Sequence, residues 1–229
     1  FNCLFGYILM VVVAVALSAM GMRELLTSGV VNGVEITDEA VRAYASRLVV
    51  LIPWVYVFCT CMCPSAACSI SLEGRSAWLM STVPVPPRTV LGAKLAANAL
   101  PAAITLAISA IVLVVSGEAG ALQGLEIFVL GFGVFYLLIT IALSVDAASP
   151  NFAWNTPNEV VKRSMPIMVT VFGGMAAAFG GGFACWMLMD ALGAAAAGDA
   201  LNLGLGVACA AAGHLVFRRL CHRTALFTR

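Results

Sequence analysis

Long apolar stretches alternate with short polar ones from end to end of this chain, and their spacing sets the architecture. A helix that crosses a hydrocarbon core needs about 20 predominantly apolar residues. Six stretches qualify or nearly do, at 4–20, 47–69, 95–116, 122–144, 164–189 and 200–217. The expectation is an all-α fold: a polytopic membrane helix bundle of about six transmembrane helices, forming a single membrane domain over residues 1–229. The first run opens almost at Phe1, with no basic region before it, so it reads as a span rather than a signal peptide. A start at Phe1 instead of Met further suggests a fragment or a processed chain that lacks an N-terminal part.

Composition agrees with this pattern. Apolar residues make up 62% of the chain and charged residues 10%, far from the balance of about half and a quarter found in soluble domains. The mean hydropathy of +1.03 points the same way. Net charge is only +1, which gives no reason to expect a nucleic-acid partner, so the placement of the charges carries the information.

That placement is asymmetric. The segments 21–46, 117–126 and 190–199 are acidic on balance, with Glu24, Glu35, Asp38 and Glu39, then Glu118 and Glu126, then Asp190 and Asp199. The intervening segments are basic, with Arg75, Arg88 and Lys94, then Lys162 and Arg163, then Arg218, Arg219, Arg223 and Arg229 in the tail. Cytoplasmic loops collect Lys and Arg, so the basic segments and both ends of this chain are expected in the cytoplasm of a multi-pass cell-membrane protein.

Two of the cytoplasmic segments have local structure written into them. The longer, Ser69 to Lys94, reads SISLEGRSAWLMSTVPVPPRTVLGAK. Ser71 can cap a helical turn with Glu73 near its positive end, while Leu72, Trp78, Leu79 and Val83 supply an apolar side for the membrane interface. Pro84 ends that helix, and Pro86 and Pro87 make an elbow before the next one. An anchored interfacial loop and a docking element are both compatible with this composition. The second segment, VDAASPNFAWNTPNEVVKR at 145–163, contains a short helix capped at Thr156 or Asn158, with Glu159 in its first turn and Lys162 and Arg163 later. On the opposite side, VVNGVEI at 30–36 carries the Asn-Gly signal of a tight hairpin, followed by a short helix through Ala45 capped at Thr37 or Asp38.

Within the spans, the rows Gly173, Ala177, Gly181 and Gly174, Ala178, Gly182 predict close helix packing. Pro101 predicts a kink beside Asn98. The cluster Cys59, Cys61, Cys63 reads as lipid-phase packing rather than a metal site, because only Cys59 and Cys63 share a helix face and no histidine stands nearby. His214 reads as an interfacial or packed residue. There is no GxxxxGK[ST] loop, no HExxH, no GxSxG, and no paired carboxylates inside any expected span. No catalytic residue, cofactor or metal is expected, and any ATP hydrolysis would belong to a partner.

The two cytoplasmic segments carry a family resemblance. SLEGRSAWLMSTVPVPPRTVLGAK at 71–94 resembles a segment of bacterial ATP-binding-cassette exporter permeases with a Ser-x-Glu-Gly turn, a Trp-Leu pair, a Ser-x-x-Pro stretch and a lysine opening the next helix. Asp146, Pro150, Trp154, Glu159 and Lys162 are similar in order and spacing to a second segment of the same family. Here Ala147 and Ala148 follow the Asp, and NTPNE replaces a more acidic run. The resemblance covers about a fifth of the chain. It implies the C-terminal half of a type-2 exporter permease, partnered by a separate P-loop ATPase subunit, the lipid bilayer and a second permease copy. It further implies a short cytoplasmic coupling helix in which Glu73, Gly74, Arg75 and Trp78 contact that ATPase. The alternatives from other classes are an ATP-independent secondary transporter or channel, and a membrane enzyme, for which no catalytic group is in view.

Overall fold

A computed structural model describes residues 4–20, 30–31, 34–35, 47–63, 67–82 and 84–223. Apart from one hairpin, the regular structure is helical. In chain order it comprises α1 (Phe5–Met20), strands β1 (Val30–Val31) and β2 (Val34–Glu35), α2 (Ile52–Cys61), a 3-10 helix (Ser71–Ser76), α3 (Leu79–Thr82), α4 (Pro87–Val115), α5 (Ala121–Ala148), α6 (Pro157–Arg163), α7 (Met165–Leu192) and α8 (Ala195–Arg223). The strands pair antiparallel, Val30 with Glu35 and Val31 with Val34, on either side of the Asn-Gly dipeptide that predicts them. The short helix expected through Ala45 lies outside the described residues.

Among the described residues, four helices are long and apolar enough to cross a membrane: Pro87–Val115, Ala121–Ala148, Pro157–Leu192 (α6 with α7) and Ala195–His222. At 1.5 Å per residue, the 29 residues of α4 reach about 43 Å, beyond a hydrocarbon core of about 30 Å. The surplus lies at its start, where Arg88 and Lys94 stand. Two other apolar helices are shorter, Phe5–Ala19 and Arg47–Cys61. The second of these corrects the expectation of an unbroken span over 47–69, since it stops at Cys61. Pro64 follows closely, and a proline supplies no N–H and disfavours helix in the residue before it.

The bundle is built on α5. It packs against α2, α4, α7 and α8, while α1 packs on α4 and α2. Contact with α8 is backbone-close: a Cβ at Gly133 would stand 2.1 Å from the Gly206 carbonyl oxygen, so neither helix can carry a larger residue there without moving apart. The glycine row of α7 does the same for α2, where Gly174 lies against Cys61 and Gly181 against the Trp54 ring. Close packing is therefore the role of that row. Cys59 and Cys63 both border Gly6 on α1 while Cys61 faces α7, as their angular spacing on a helix requires. Where Pro101 interrupts the ladder of α4, the Tyr7 hydroxyl donates to the Asn98 carbonyl at 3.2 Å. His214 is exposed on α8.

Chain connectivity sorts the helix ends into two sets. One end of the bundle holds the starts of α1, α4 and α7 and the ends of α2, α5 and α8, with the basic segments. The opposite end holds the acidic connections, where Arg47 at the start of the α2 region pairs with Asp190 of α7 at 2.7 Å.

Candidate functional site

At the basic end, the two polar segments of the sequence fold into one unit. Its centre is Asp146, on the last turn of α5 and only 1% exposed. A buried carboxylate must be met by donors, and three converge on it. The backbone N–H groups of Ile70 and Ser71 donate to Oδ2 at 2.9 and 3.0 Å, and the Ser71 hydroxyl donates to Oδ1. The same hydroxyl oxygen accepts the Asn151 N–H at 3.0 Å, and the Trp154 indole N–H donates to the Ser71 carbonyl at 2.8 Å. Ser71 is thus held from both sides by the segment 146–154.

Gly74 explains why the fit is possible. It adopts φ 50°, ψ −124°, a conformation open in practice only to glycine, and this breaks the 3-10 helix into two pieces. A Cβ there would meet the Trp154 ring at 2.7 Å, so the indole lies directly over the glycine. Lys94, from the second turn of α4, closes the unit by donating to the Ser69 carbonyl at 2.8 Å and pairing with Glu73. At the far side Glu159 accepts the Asn155 N–H at 3.2 Å, and Thr156, which precedes α6, makes no side-chain cap bond, so the expected cap at Thr156 or Asn158 is replaced by this contact.

Each residue expected to act here can now be placed. Glu73, Gly74, Asp146 and Trp154 are parts of the unit, and Pro150 leads into its strap at Asn151. Arg75 is exposed, and Trp78 and Leu79 are 62% and 45% exposed on the outward side. Lys162 lies in α6. Two expectations need correction. Ser71 does not cap a helix, because its hydroxyl is committed to Asp146. The single interfacial helix ending at Pro84 is instead a 3-10 helix kinked at Gly74 followed by the four residues of α3, since the glycine turns the chain to admit Trp154.

Chemically, the unit is a latch. Both Asp146 oxygens are occupied, so it offers no free base or nucleophile. Among the described residues no cluster of three or more His, Cys, Asp or Glu could hold a metal ion.

Comparison with protein-family models, curated proteins and solved structures finds no match to this chain.

A second polar cluster was not foreseen, and it corrects the expectation that no carboxylates pair within the spans. Glu126 is fully buried in the second turn of α5, and Asp199, in the second turn of α8, is an electrostatic neighbour of it. Asn202, one turn beyond Asp199 on α8, donates from Nδ2 to Glu126 and to the Val50 carbonyl, both at 3.0 Å. Its Oδ1 accepts the Trp54 indole N–H at 3.0 Å. Asp199 falls in a connection because the sixth expected span starts at 200, five residues after α8 does, whereas Glu126 lies inside the expected span 122–144 and is counted there with the acidic connection 117–126. Signals for earlier starts exist: the Gln123 side chain caps the Gly120 N–H at 3.0 Å, and Gly193, left-handed at φ 64°, ends α7 just before α8 begins.

Proposed function

We propose that this chain is a membrane-spanning subunit of an ATP-binding-cassette exporter, working with a separate P-loop ATPase. The observation that supports this reading is the latch itself. The two segments that resemble such permeases are joined by Asp146, Ser71 and Trp154 into one body, mounted on the ends of α4 and α5. Arg75, Trp78 and Leu79 are left on its outer side. A rigid body continuous with two long helices can carry a push from a soluble motor into the bundle; a loose loop would absorb it. In this reading α1 and α2 complete six crossings, the basic end faces the cytoplasm of the cell membrane, and the chain performs no hydrolysis itself.

The neighbouring reading frame should encode the ATPase, and the two chains should co-purify when expressed together. Trp78→Ala and Arg75→Glu change exposed side chains, so membrane insertion should survive while the bound ATPase is lost. If both variants retain it at wild-type yield, the docking role is wrong. A gradient-driven transporter is the second reading, and it draws on the carboxyl pair of Glu126 and Asp199. Transport into vesicles that lack the ATPase but carry an imposed proton gradient would favour it.

A further inference from the structure

Glu126 and Asp199 present a problem of hydrogen-bond chemistry. Glu126 is entirely buried, and its Oε2 accepts from Asn202 while Oε1 has no donor. Asp199 Oδ1 is likewise buried without a donor. Asn202, one turn beyond Asp199 on α8, places the two acids side by side, and two like carboxylates in a buried position cannot both stay ionised without a positive species.

We propose that this species is a single proton, shared between the two carboxyl groups, so that the pair is a proton-binding site linking α5 to α8. The surroundings select a proton over a metal ion. A hard cation collects six or more oxygens for calcium, or near-octahedral geometry for magnesium, and among the described residues no group of three or more His, Cys, Asp or Glu could hold one. The one neutral side-chain oxygen nearby, Asn202 Oδ1, is taken by the Trp54 N–H and by the Cys185 thiol at 3.7 Å. The amide orientation is fixed by its partners, since Nδ2 must face the Val50 carbonyl, so Asn202 turns a donor toward the site. A donor suits a carboxylate and repels a cation. The backbone contact of Gly133 with Gly206, two turns deeper, leaves little freedom for the helices to spread around an ion.

Among the described residues, few titratable and charged groups stand at this end of the bundle. From α7 it is Cys185; from the start of the α2 region it is Arg47, committed to Asp190 at 2.7 Å; and Glu118 lies in the connection before α5. With the proton in place one negative charge remains, and the Asn202 amide spreads it toward α2. When the proton leaves, two like charges face each other at this end of the bundle, and their repulsion weakens the junction of α5 and α8. The site thereby makes the acidic end of the bundle responsive to protons. It does not depend on the ATPase reading.

The test is infrared spectroscopy of the full chain in lipid nanodiscs, titrated with acid and base in light and heavy water. Wild type should show the carbonyl stretch of a protonated carboxyl group that shifts in heavy water and disappears as pH rises. Glu126→Gln should lack it. Asp199→Asn should retain it but with a titration midpoint displaced by about one pH unit, roughly a tenfold change in proton affinity, because the neighbouring charge is gone. Absence of the band in wild type, its persistence in Glu126→Gln, or an unmoved midpoint in Asp199→Asn would each overturn the proposal. Loss of the band on adding sodium or calcium at fixed pH would replace the proton with a metal ion. Should Glu126→Gln fail to fold, the wild-type band and the Asp199→Asn midpoint still decide.

Discussion

Two buried acids on one helix meet opposite fates. Asp146 and Glu126 both lie on α5, one at each end, and both are withdrawn from solvent. Asp146 is surrounded by three donors, two of them backbone N–H groups that cannot turn away. Glu126 has one side-chain donor and a second acid beside it. The first environment meets every carboxyl oxygen with a donor and holds the group in place. The second is complete only when a proton is present. Burial alone therefore says little about what an acid does; the number and kind of donors around it separate a structural latch from a site that can change state.

The largest effect that this contrast predicts is at Asp146. Asp146→Ala removes the acceptor for two buried N–H groups and a hydroxyl, and each donor left unsatisfied costs about 1–3 kcal/mol. We expect about 3–5 kcal/mol of lost stability, since some donors will find water, read as a fall in the thermal unfolding temperature in detergent. Proteolytic cleavage within 69–94 should appear at the same time. Asp146→Asn should fall between this variant and wild type, because its amide keeps an acceptor for the backbone but points a donor at Ser71. Equal stability of Asp146→Asn and wild type would show that the latch does not need a charge, and the contrast with Glu126 would collapse.

Gly74→Ala comes next. Its backbone conformation costs a residue with a Cβ about 1–3 kcal/mol wherever it occurs, and here the methyl group also collides with Trp154. The indole must move, which breaks its hydrogen bond to Ser71. Tryptophan fluorescence should shift toward the spectrum of a more exposed ring, with unfolding at lower temperature. An unchanged spectrum would mean that Trp154 is not seated on Gly74 and that the two segments are not one body.

How much of this was legible in the sequence follows from the range of each interaction. The hairpin at 30–35, the Pro86–Pro87 elbow, α6 and the glycine row of α7 all rest on residues within a turn or two of each other, and their patterns predict them. The latch joins Ser71 to Asp146 and Trp154 across 75 and 83 residues. Nothing local in SLEG says that the serine hydroxyl will turn from its own helix to a distant carboxylate. The composition does mark both segments as polar and conformationally special, so the parts were visible and their union was not. The proton site was hidden differently. Asp199 sits four residues into α8, so an expected start at 200 leaves it in a connection; Glu126 lies inside the expected span 122–144, and nothing local says that an acid on α8 will meet it. The break after Cys61 was hidden by hydropathy, which continues through 62–69 although Pro64 does not favour a helix there.

The smallest effect expected is at Glu126, and its smallness is the informative part. Gln has the shape of a protonated Glu, keeps an oxygen for Asn202 Nδ2 and can donate to Asp199 from its amide. If the resident form carries a proton, Glu126→Gln should change stability by less than about 1 kcal/mol, the scale of one hydrogen bond of altered quality. If both acids were ionised and bridged by a cation, the same change would remove one of its two charged ligands and destabilise the bundle by several times that amount. Unfolding of wild type and Glu126→Gln measured side by side at two pH values separates the cases. A small difference at low pH, with the variant gaining relative stability as pH rises and the wild-type pair loses its proton, is the pattern of a shared proton. A large loss at both pH values is the pattern of an ion, and would make Glu126 resemble Asp146 after all: an anion that the fold holds in one state.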